Sequence, residues 1–131
     1  MTAKIGGMPC PCGNVGCWET EASTAALPRL GGGYSSYAEV FASAEPFAQA
    51  IRERSLAVWS ALAVSLVHAY DPEALVLGGG VMASGEAVLG PIRDAVRKHA
   101  WTPWGSTRVV ASELGDDAAL VGCEWLLGEK G

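Results

Sequence analysis

Residues 10–17 read CPCGNVGC and place Cys10, Cys12 and Cys17 within eight positions of one another. The intervening glycines allow a loop to turn its three sulfur atoms towards one point, as a tetrahedral zinc ion requires. Two alternatives compete with zinc: disulfides, which need an oxidising compartment, and free buried thiols. Three thiols crowded among glycine and polar residues, with no export signal before them, favour the metal.

Outward from this loop, hydrophobic spacing predicts alternating helices and strands. The first half should hold a short helix over Glu19–Leu27 that Pro28 stops, a mobile surface loop over Leu30–Tyr37, a helix from Glu39, and a long helix over about Phe47–Tyr70. The second half should hold a strand at Ala74–Leu77, a helix over about Gly85–Ala100 with Pro91 as a kink or restart, and a strand at Arg108–Ala111. Asp116 should cap a last helix that runs through Leu127.

The long helix carries the strongest periodicity. Apolar side chains recur at steps of three and four, the spacing of one helical face, at Leu56, Trp59, Ala63, Leu66 and Tyr70. Asp71-Pro72 ends the helix, because a residue before proline disfavours helical geometry. The uncharged run from Ser55 to Tyr70 falls short of the roughly 20 apolar residues that cross a bilayer, so we predict a buried helix and no membrane contact.

Strands that helices connect usually lie parallel, so the pattern predicts an α/β fold. Two strands do not make a well-covered parallel sheet, and we therefore expect this α/β unit to be incomplete. The 131 residues suit one domain, and 50% hydrophobic residues exclude disorder. A net charge of −5 without a basic cluster argues against direct contact with nucleic acid. We see no signal peptide, so the cytoplasm is the expected compartment.

The cysteine loop resembles the signature of the ROK family (repressors, open reading frames and kinases), which is a His, about ten residues, and then C-x-C-G-x-x-G-C-[LIW]-E. The matching residues are Cys10, Cys12, Gly13, Gly16, Cys17, Trp18 and Glu19. Two later stretches, LGGGV at 77–81 and LGDDAALVG at 114–122, resemble family motifs in the same order. The resemblance therefore spans the chain from Pro9 to about Leu127.

This resemblance implies that residues 1–131 form the C-terminal lobe of an actin-like ATPase (ribonuclease H-like) fold, with a zinc-binding loop over 1–19 and an α/β part over 20–131. It also implies that the three cysteines hold a structural zinc, that Glu19 accepts hydrogen bonds from sugar hydroxyls, and that Gly78, Gly79 and Gly80 approach a nucleotide. The alternative role of Glu19 is an acid that the helix dipole favours. We expect Cys123 to be a small core residue, and His68 and His99 to be ordinary helical residues rather than ligands.

Family kinases take the proton of the sugar hydroxyl with an N-D motif and hold phosphates with D-x-G-x-T, and neither motif occurs in this chain. The family His that would complete the zinc site, ten residues before Cys10, is also absent. We therefore expect a fragment that needs an N-terminal lobe, is not catalytic alone, and exposes apolar surface around Trp101 and Trp104 that drives homo-oligomer formation.

Three functions remain open from the sequence. The first is part of a ROK sugar kinase that phosphorylates a hexose or N-acetylhexosamine with ATP and magnesium, which the third glycine at Gly80 favours. The second is the sugar-sensing domain of a NagC-like transcriptional regulator. The third is a structural remnant without a ligand.

Overall fold

The computed structural model describes residues 1–102 and 106–128 of the 131-residue chain. The helices are α1 Trp18–Ala22, α2 Leu27–Leu30, α3 Tyr37–Ala42, α4 Pro46–Tyr70, α5 Glu86–His99 and α6 Ala118–Gly128, and the strands are β1 Ala74–Leu77 and β2 Arg108–Ala111. Short 3-10 helices lie at Thr24–Ala26, Gly80–Ser84 and Gly115–Asp117. The predicted alternation of helices and strands is confirmed.

Helix α4 is the longest element of the fold, with 25 residues, and it ends where the sequence predicts. Asp71 adopts the left-handed conformation, with φ 43° and ψ 54°, and its N–H donates to the Val67 carbonyl at 2.8 Å. Pro72 follows and prevents continuation. The predicted apolar stripe is only partly correct, since the buried side chains are Ala48, Ile51, Ser55, Ala63 and Val67. The second half of α4 is apolar on several faces, so periodicity alone does not identify the face that packs.

Strands β1 and β2 pair in parallel, with Leu75 opposite Val109 and Val76 opposite Val110. Helix α5 connects them and packs its apolar face on the sheet and on α4. Pro91 lies inside this continuous helix, so the expected restart does not occur. The buried residues of this first core are Ala63, Val67, Val88, Leu89, Ile92, Val96 and Val109.

A second core joins α3 to the first half of α4 and contains Leu27, Tyr37, Val40, Ala48 and Ile51. The Tyr37 ring meets the Trp59 ring edge-on, with centroids 4.7 Å apart, and Trp59 also packs on the first core. The Trp59 indole N–H donates to the Ala22 carbonyl at 3.0 Å. Trp59 therefore links α1 and both cores through one side chain.

Helix α3 begins at Tyr37, two residues before the expected start at Glu39, because side chains cap its first turn. The Ser36 hydroxyl accepts the Glu39 N–H at 3.2 Å. The Glu39 carboxylate accepts the Ser35 N–H at 2.9 Å and the Ser35 hydroxyl at 2.7 Å. These bonds satisfy donors that a helix start leaves unpaired. The hydrogen bonds from Ser35 lower the pKa of the Glu39 carboxyl.

Two expected helix boundaries are wrong. Pro28 does not stop a helix but occupies the first turn of α2, where a missing N–H is tolerated. The preceding helix α1 has already ended at Ala22, because Ser23 is extended. The 3-10 helix Gly115–Asp117 contains Asp116 and runs directly into α6, so the last helical segment begins before Asp116 rather than after it.

Helix α6 contains no buried residue although most of its side chains are apolar. Leu120, Trp125 and Leu127 are all exposed, and so is Cys123, which corrects the expectation of a core thiol. On the sheet, Val76 is 60% exposed. Apolar surface of this extent is typical of an interaction face.

The expected apolar surface around Trp101 is confirmed, since this side chain is 75% exposed, whereas Trp104 lies outside the described residues. Within the part of the chain that the structure describes, no helix has the combination of length and apolar character that a bilayer crossing needs.

Candidate functional site

The cysteine loop is organised by backbone pairing at both of its arms. The Cys10 N–H donates to the Asn14 carbonyl at 2.8 Å, and the Gly13 N–H returns to the Cys10 carbonyl at 3.0 Å. Antiparallel bridges join Pro9 to Val15 and Thr2 to Cys17. The expected irregular loop is therefore a tight hairpin-like turn with isolated bridges.

Gly16 permits this turn for two reasons. Its φ of 70° belongs to the left-handed region that favours glycine, and a Cβ there would collide with the Lys4 carbonyl. The Lys4 and Ala3 N–H groups both donate to the Gly16 carbonyl, at 3.1 and 2.6 Å. The first residues of the chain thus close over the loop.

The three sulfur atoms of Cys10, Cys12 and Cys17 all lie within 4.8 Å of one another, and those of Cys12 and Cys17 are 3.6 Å apart. Three sulfurs bound to one tetrahedral zinc at ~2.3 Å would lie about 3.7 Å apart. The distance between Cys12 and Cys17 matches this value, and the donor set of three thiols fits zinc. Among the described residues, neither His68 nor His99 joins this cluster.

The thiols differ in their surroundings. Cys12 is exposed, and its pKa is lowered by the backbone at Asn14 and by hydrogen bonds with the neighbouring thiols of Cys10 and Cys17. Cys17 is buried, and burial raises the pKa of its thiol. The Asn14 amide donates to the Cys17 sulfur at 3.2 Å and to the Thr2 hydroxyl at 2.9 Å. A side chain that donates to a sulfur fixes the position of a metal ligand.

Glu19 lies in the first turn of α1 and is exposed. Cys17 is the residue that precedes the helix, so the cysteine and the carboxylate are separated by the helix start. This position is compatible both with a ligand contact and with a dipole-favoured acid. Residue Glu21, two positions later, is fully buried. The burial of Glu21 cannot be predicted from the sequence, because a second acid in a short helix carries no pattern of its own.

The glycines form a second group at the carboxyl end of β1. Gly79 has φ 83° and accepts the Met82 N–H at 2.9 Å, which starts the 3-10 helix Gly80–Ser84. Both Gly79 and Gly80 face open space, where an added Cβ would meet nothing within 4 Å. A pocket here is shared with residues after β2, and it is lined by Leu77, Gly78, Gly79, Gly80, Met82, Ala83, Ala111, Ser112 and Gly115.

Two lining residues of this pocket, Ser112 and Gly115, carry no motif that predicts them there. Both follow β2, and the carboxyl ends of adjacent parallel strands meet at one edge of the sheet, where α/β folds bind ligands. The Ser112 N–H extends the ladder by donating to the Leu77 carbonyl at 2.7 Å. The parallel order of the strands was therefore the signal that would have identified them.

Three features characterise this class of protein: it is an α/β unit, it has a three-thiol turn before its first helix, and it has an open glycine edge after its first strand. The match to the ROK family model covers residues 1–130. The chain belongs to the ROK family.

Relatives and solved structures agree with this assignment. The chain is 30% identical to a glucokinase of Thermotoga maritima, over 99% of this chain and 48% of that protein. It superposes on a ROK family glucokinase from Streptomyces griseus, solved with glucose and AMPPNP, with a TM-score of 0.72 and 30% identity over 96% of this chain and 49% of that one. A ROK hexokinase from Thermus thermophilus gives a TM-score of 0.73 and 28% identity over 100% of this chain and 47% of that one. The chain thus spans about half the length of these relatives.

A regulator is also among the relatives. A putative xylose repressor of Caldicellulosiruptor sp. is 30% identical over 94% of this chain and 36% of its own length. The α/β architecture predicted from the sequence is confirmed, and it is the architecture that ROK sugar kinases share.

Proposed function

We propose that the cysteine loop binds a structural zinc ion through Cys10, Cys12 and Cys17. The support is the donor set, three sulfurs within 4.8 Å of one another on a turn that backbone hydrogen bonds hold. Three thiolates leave one position of a tetrahedral zinc for another ligand. The ion supplies rigidity here, because it fixes the turn from which α1 and Glu19 start.

We further propose that the chain provides the zinc loop, part of the sugar site and part of the nucleotide site of a ROK sugar kinase. The observation that carries this proposal is the match to glucokinases over nearly the whole chain. Exposed Glu19 offers a carboxylate that accepts hydrogen bonds from two neighbouring sugar hydroxyls. The substrate class is a hexose or N-acetylhexosamine, and the location that we propose is the cytoplasm.

The glycine edge supports the nucleotide part of this proposal. Gly78, Gly79 and Gly80 are exposed, and at Gly79 and Gly80 an added Cβ would meet nothing within 4 Å. Such exposed amides at a strand end attract phosphate. In the complete kinase the phosphate charge is balanced by magnesium, which ATP brings with it.

We expect no phosphorylation by this chain alone. Neither D-x-G-x-T nor N-D occurs in its 131 residues, so phosphate positioning and the general base have to come from an N-terminal lobe. Removing several pocket hydrogen bonds, at about 1 kcal/mol each, is also sufficient to make sugar binding weaker than millimolar.

A reconstitution experiment tests the kinase assignment. The chain is co-expressed with the N-terminal half of the Thermotoga maritima glucokinase, and ATP-dependent glucose phosphorylation is measured. We expect turnover with the pair and none with either half, loss of turnover in Glu19→Ala, and retention in Glu53→Ala, which removes an exposed carboxylate from α4. Turnover that is equal in Glu19→Ala would refute the role of Glu19.

The second candidate is a sugar-sensing domain, and the repressor relative favours it. A reconstituted pair that binds glucose, as measured by calorimetry, but does not consume ATP would favour this candidate over the kinase. Loss of that binding in Glu19→Ala would then assign the same residue to sensing.

A further inference from the structure

Among the described residues, an ion pair between a buried carboxylate and a partly exposed guanidinium joins two distant segments. Glu21 on α1 is 1% exposed, and its Oε2 accepts a hydrogen bond from Nη2 of Arg54 on α4. Nη1 of the same guanidinium donates to the Glu21 backbone carbonyl. Two nitrogens of one side chain therefore hold both the carboxylate and the backbone of a single residue, an arrangement that arginine allows.

The other oxygen of the carboxylate reaches the cysteine loop. Oε1 of Glu21 accepts the Met8 N–H at 2.9 Å, two residues before Cys10. The Met8 carbonyl in turn accepts the Gly16 N–H at 2.7 Å, next to Cys17. The Glu21 carboxylate thus holds Met8, in the segment that leads to Cys10, and Met8 in turn holds Gly16 next to Cys17.

The backbone of Glu21 contacts the loop as well. Its N–H donates to the Cys17 carbonyl at 3.0 Å, and the Thr20 hydroxyl donates to the same carbonyl at 2.9 Å. Both arms of the cysteine turn are therefore anchored to Glu21, and Arg54 anchors Glu21 to the longest helix. The Arg54 side chain is 34% exposed, so solvent screens the ion pair and limits its contribution to stability. The contacts of Glu21 with both arms of the loop favour a positioning role.

We infer that Glu21 and Arg54 are positioning residues for the cysteine loop. They hold its two arms at the spacing that three thiolates need to bind the ion. This inference rests on the proposed zinc site. Neither side chain is a ligand. They act as outer contacts, which orient the groups that bind a metal.

The prediction is a change in metal affinity that exceeds any general loss of stability. Glu21→Gln keeps the size of the side chain and an oxygen for Met8, but removes the charge that faces Arg54. We expect zinc affinity to fall about 10- to 100-fold, as is usual for outer contacts of metal sites. The matched control is Glu86→Gln, which removes a carboxylate from the exposed pair with Arg93, 3.1 Å away on α5, and should leave zinc affinity unchanged.

The experiment titrates wild-type and variant chains with zinc against a competing chelator, and records the melting temperature with and without zinc. Positioning predicts that zinc raises the melting temperature less in Glu21→Gln than in wild type. A structural role alone predicts equal losses of melting temperature in both conditions and unchanged affinity, and that result would overturn the inference.

A second variant covers the case in which Glu21→Gln does not fold. Arg54→Lys keeps the positive charge but replaces the planar fork, in which two separate nitrogens donate to the carboxylate and the carbonyl of Glu21, by a single ammonium that does not reproduce this geometry. We expect weaker zinc binding here too, and wild-type affinity in this variant refutes the inference. A wild-type chain that binds no zinc refutes the zinc site and the inference together, whereas wild-type binding with unaltered variants refutes the inference alone.

Discussion

The hydrogen bond between Tyr37 and Ser55 offers a sharp test of the packing of α3 on α4. The two hydroxyl oxygens are 2.9 Å apart, and Ser55 is 0% exposed. Burial raises the pKa of the Tyr37 hydroxyl, so it remains protonated and able to donate near neutral pH. Either single truncation leaves the partner hydroxyl buried without a bond, at a cost of about 1–3 kcal/mol.

The perturbation is therefore a double-mutant cycle of Tyr37→Phe and Ser55→Ala. Each single change should lower the free energy of unfolding by about 1–3 kcal/mol, whereas the double variant loses less than the sum, because no orphaned hydroxyl remains. For a domain of this size, about 1 kcal/mol corresponds to roughly 3–5 °C in melting temperature.

Urea denaturation followed by circular dichroism measures these energies. Ser65→Ala is the control on the same helix, since Ser65 is exposed and its hydroxyl donates to the Ala61 carbonyl of the preceding turn. This change should alter stability by less than about 0.5 kcal/mol. Additive effects of the two changes would show that the hydroxyls do not interact, and would refute this packing of α3 on α4.

Two further predictions concern other parts of the chain. The hydrogen bonds from Ser35 lower the pKa of Glu39, so its capping contributes stability above the unfolded pKa of about 4.3 and loses it as pH falls through the lower folded pKa. The stability difference between wild type and Glu39→Gln should therefore shrink in denaturation curves as pH falls through that range, and a pH-independent difference would contradict the capping. The exposed apolar surface of α6 should drive self-association, which Leu120→Lys with Leu126→Lys should weaken in light scattering; a monomeric wild-type chain would contradict it.

The regular elements could be predicted because their signals are local. Alternation of apolar runs and breakers located α4, β1, α5 and β2 within a few residues, and Asp71-Pro72 marked the end of α4 correctly. The buried face of α4 could not be predicted, because its second half is apolar on several faces. The exposure of α6 could not be predicted either, since an apolar helix gives no information on whether a partner is present.

The candidate site was predictable only where one stretch contains all its members. Cys10, Cys12 and Cys17 lie within eight residues, so their spacing alone indicated that the sulfurs meet. Glu21 and Arg54 are separated by 33 positions, and their pairing depends on how α1 crosses α4. Gly115 reaches the pocket of Gly79 because two strands run parallel, which is a property of the sheet rather than of either motif.

Metal content is the most direct test of the central claim, that the cysteine turn is a zinc site. The chain is refolded with zinc and freed of unbound metal, after which zinc and reactive thiols are both counted. We predict at most about one zinc per chain, protection of Cys10, Cys12 and Cys17 from thiol reagents, and free reaction of exposed Cys123. Cys12→Ser should lower the zinc content, whereas Cys123→Ser should leave it unchanged. A chain without zinc in which all the thiols react freely would contradict the account.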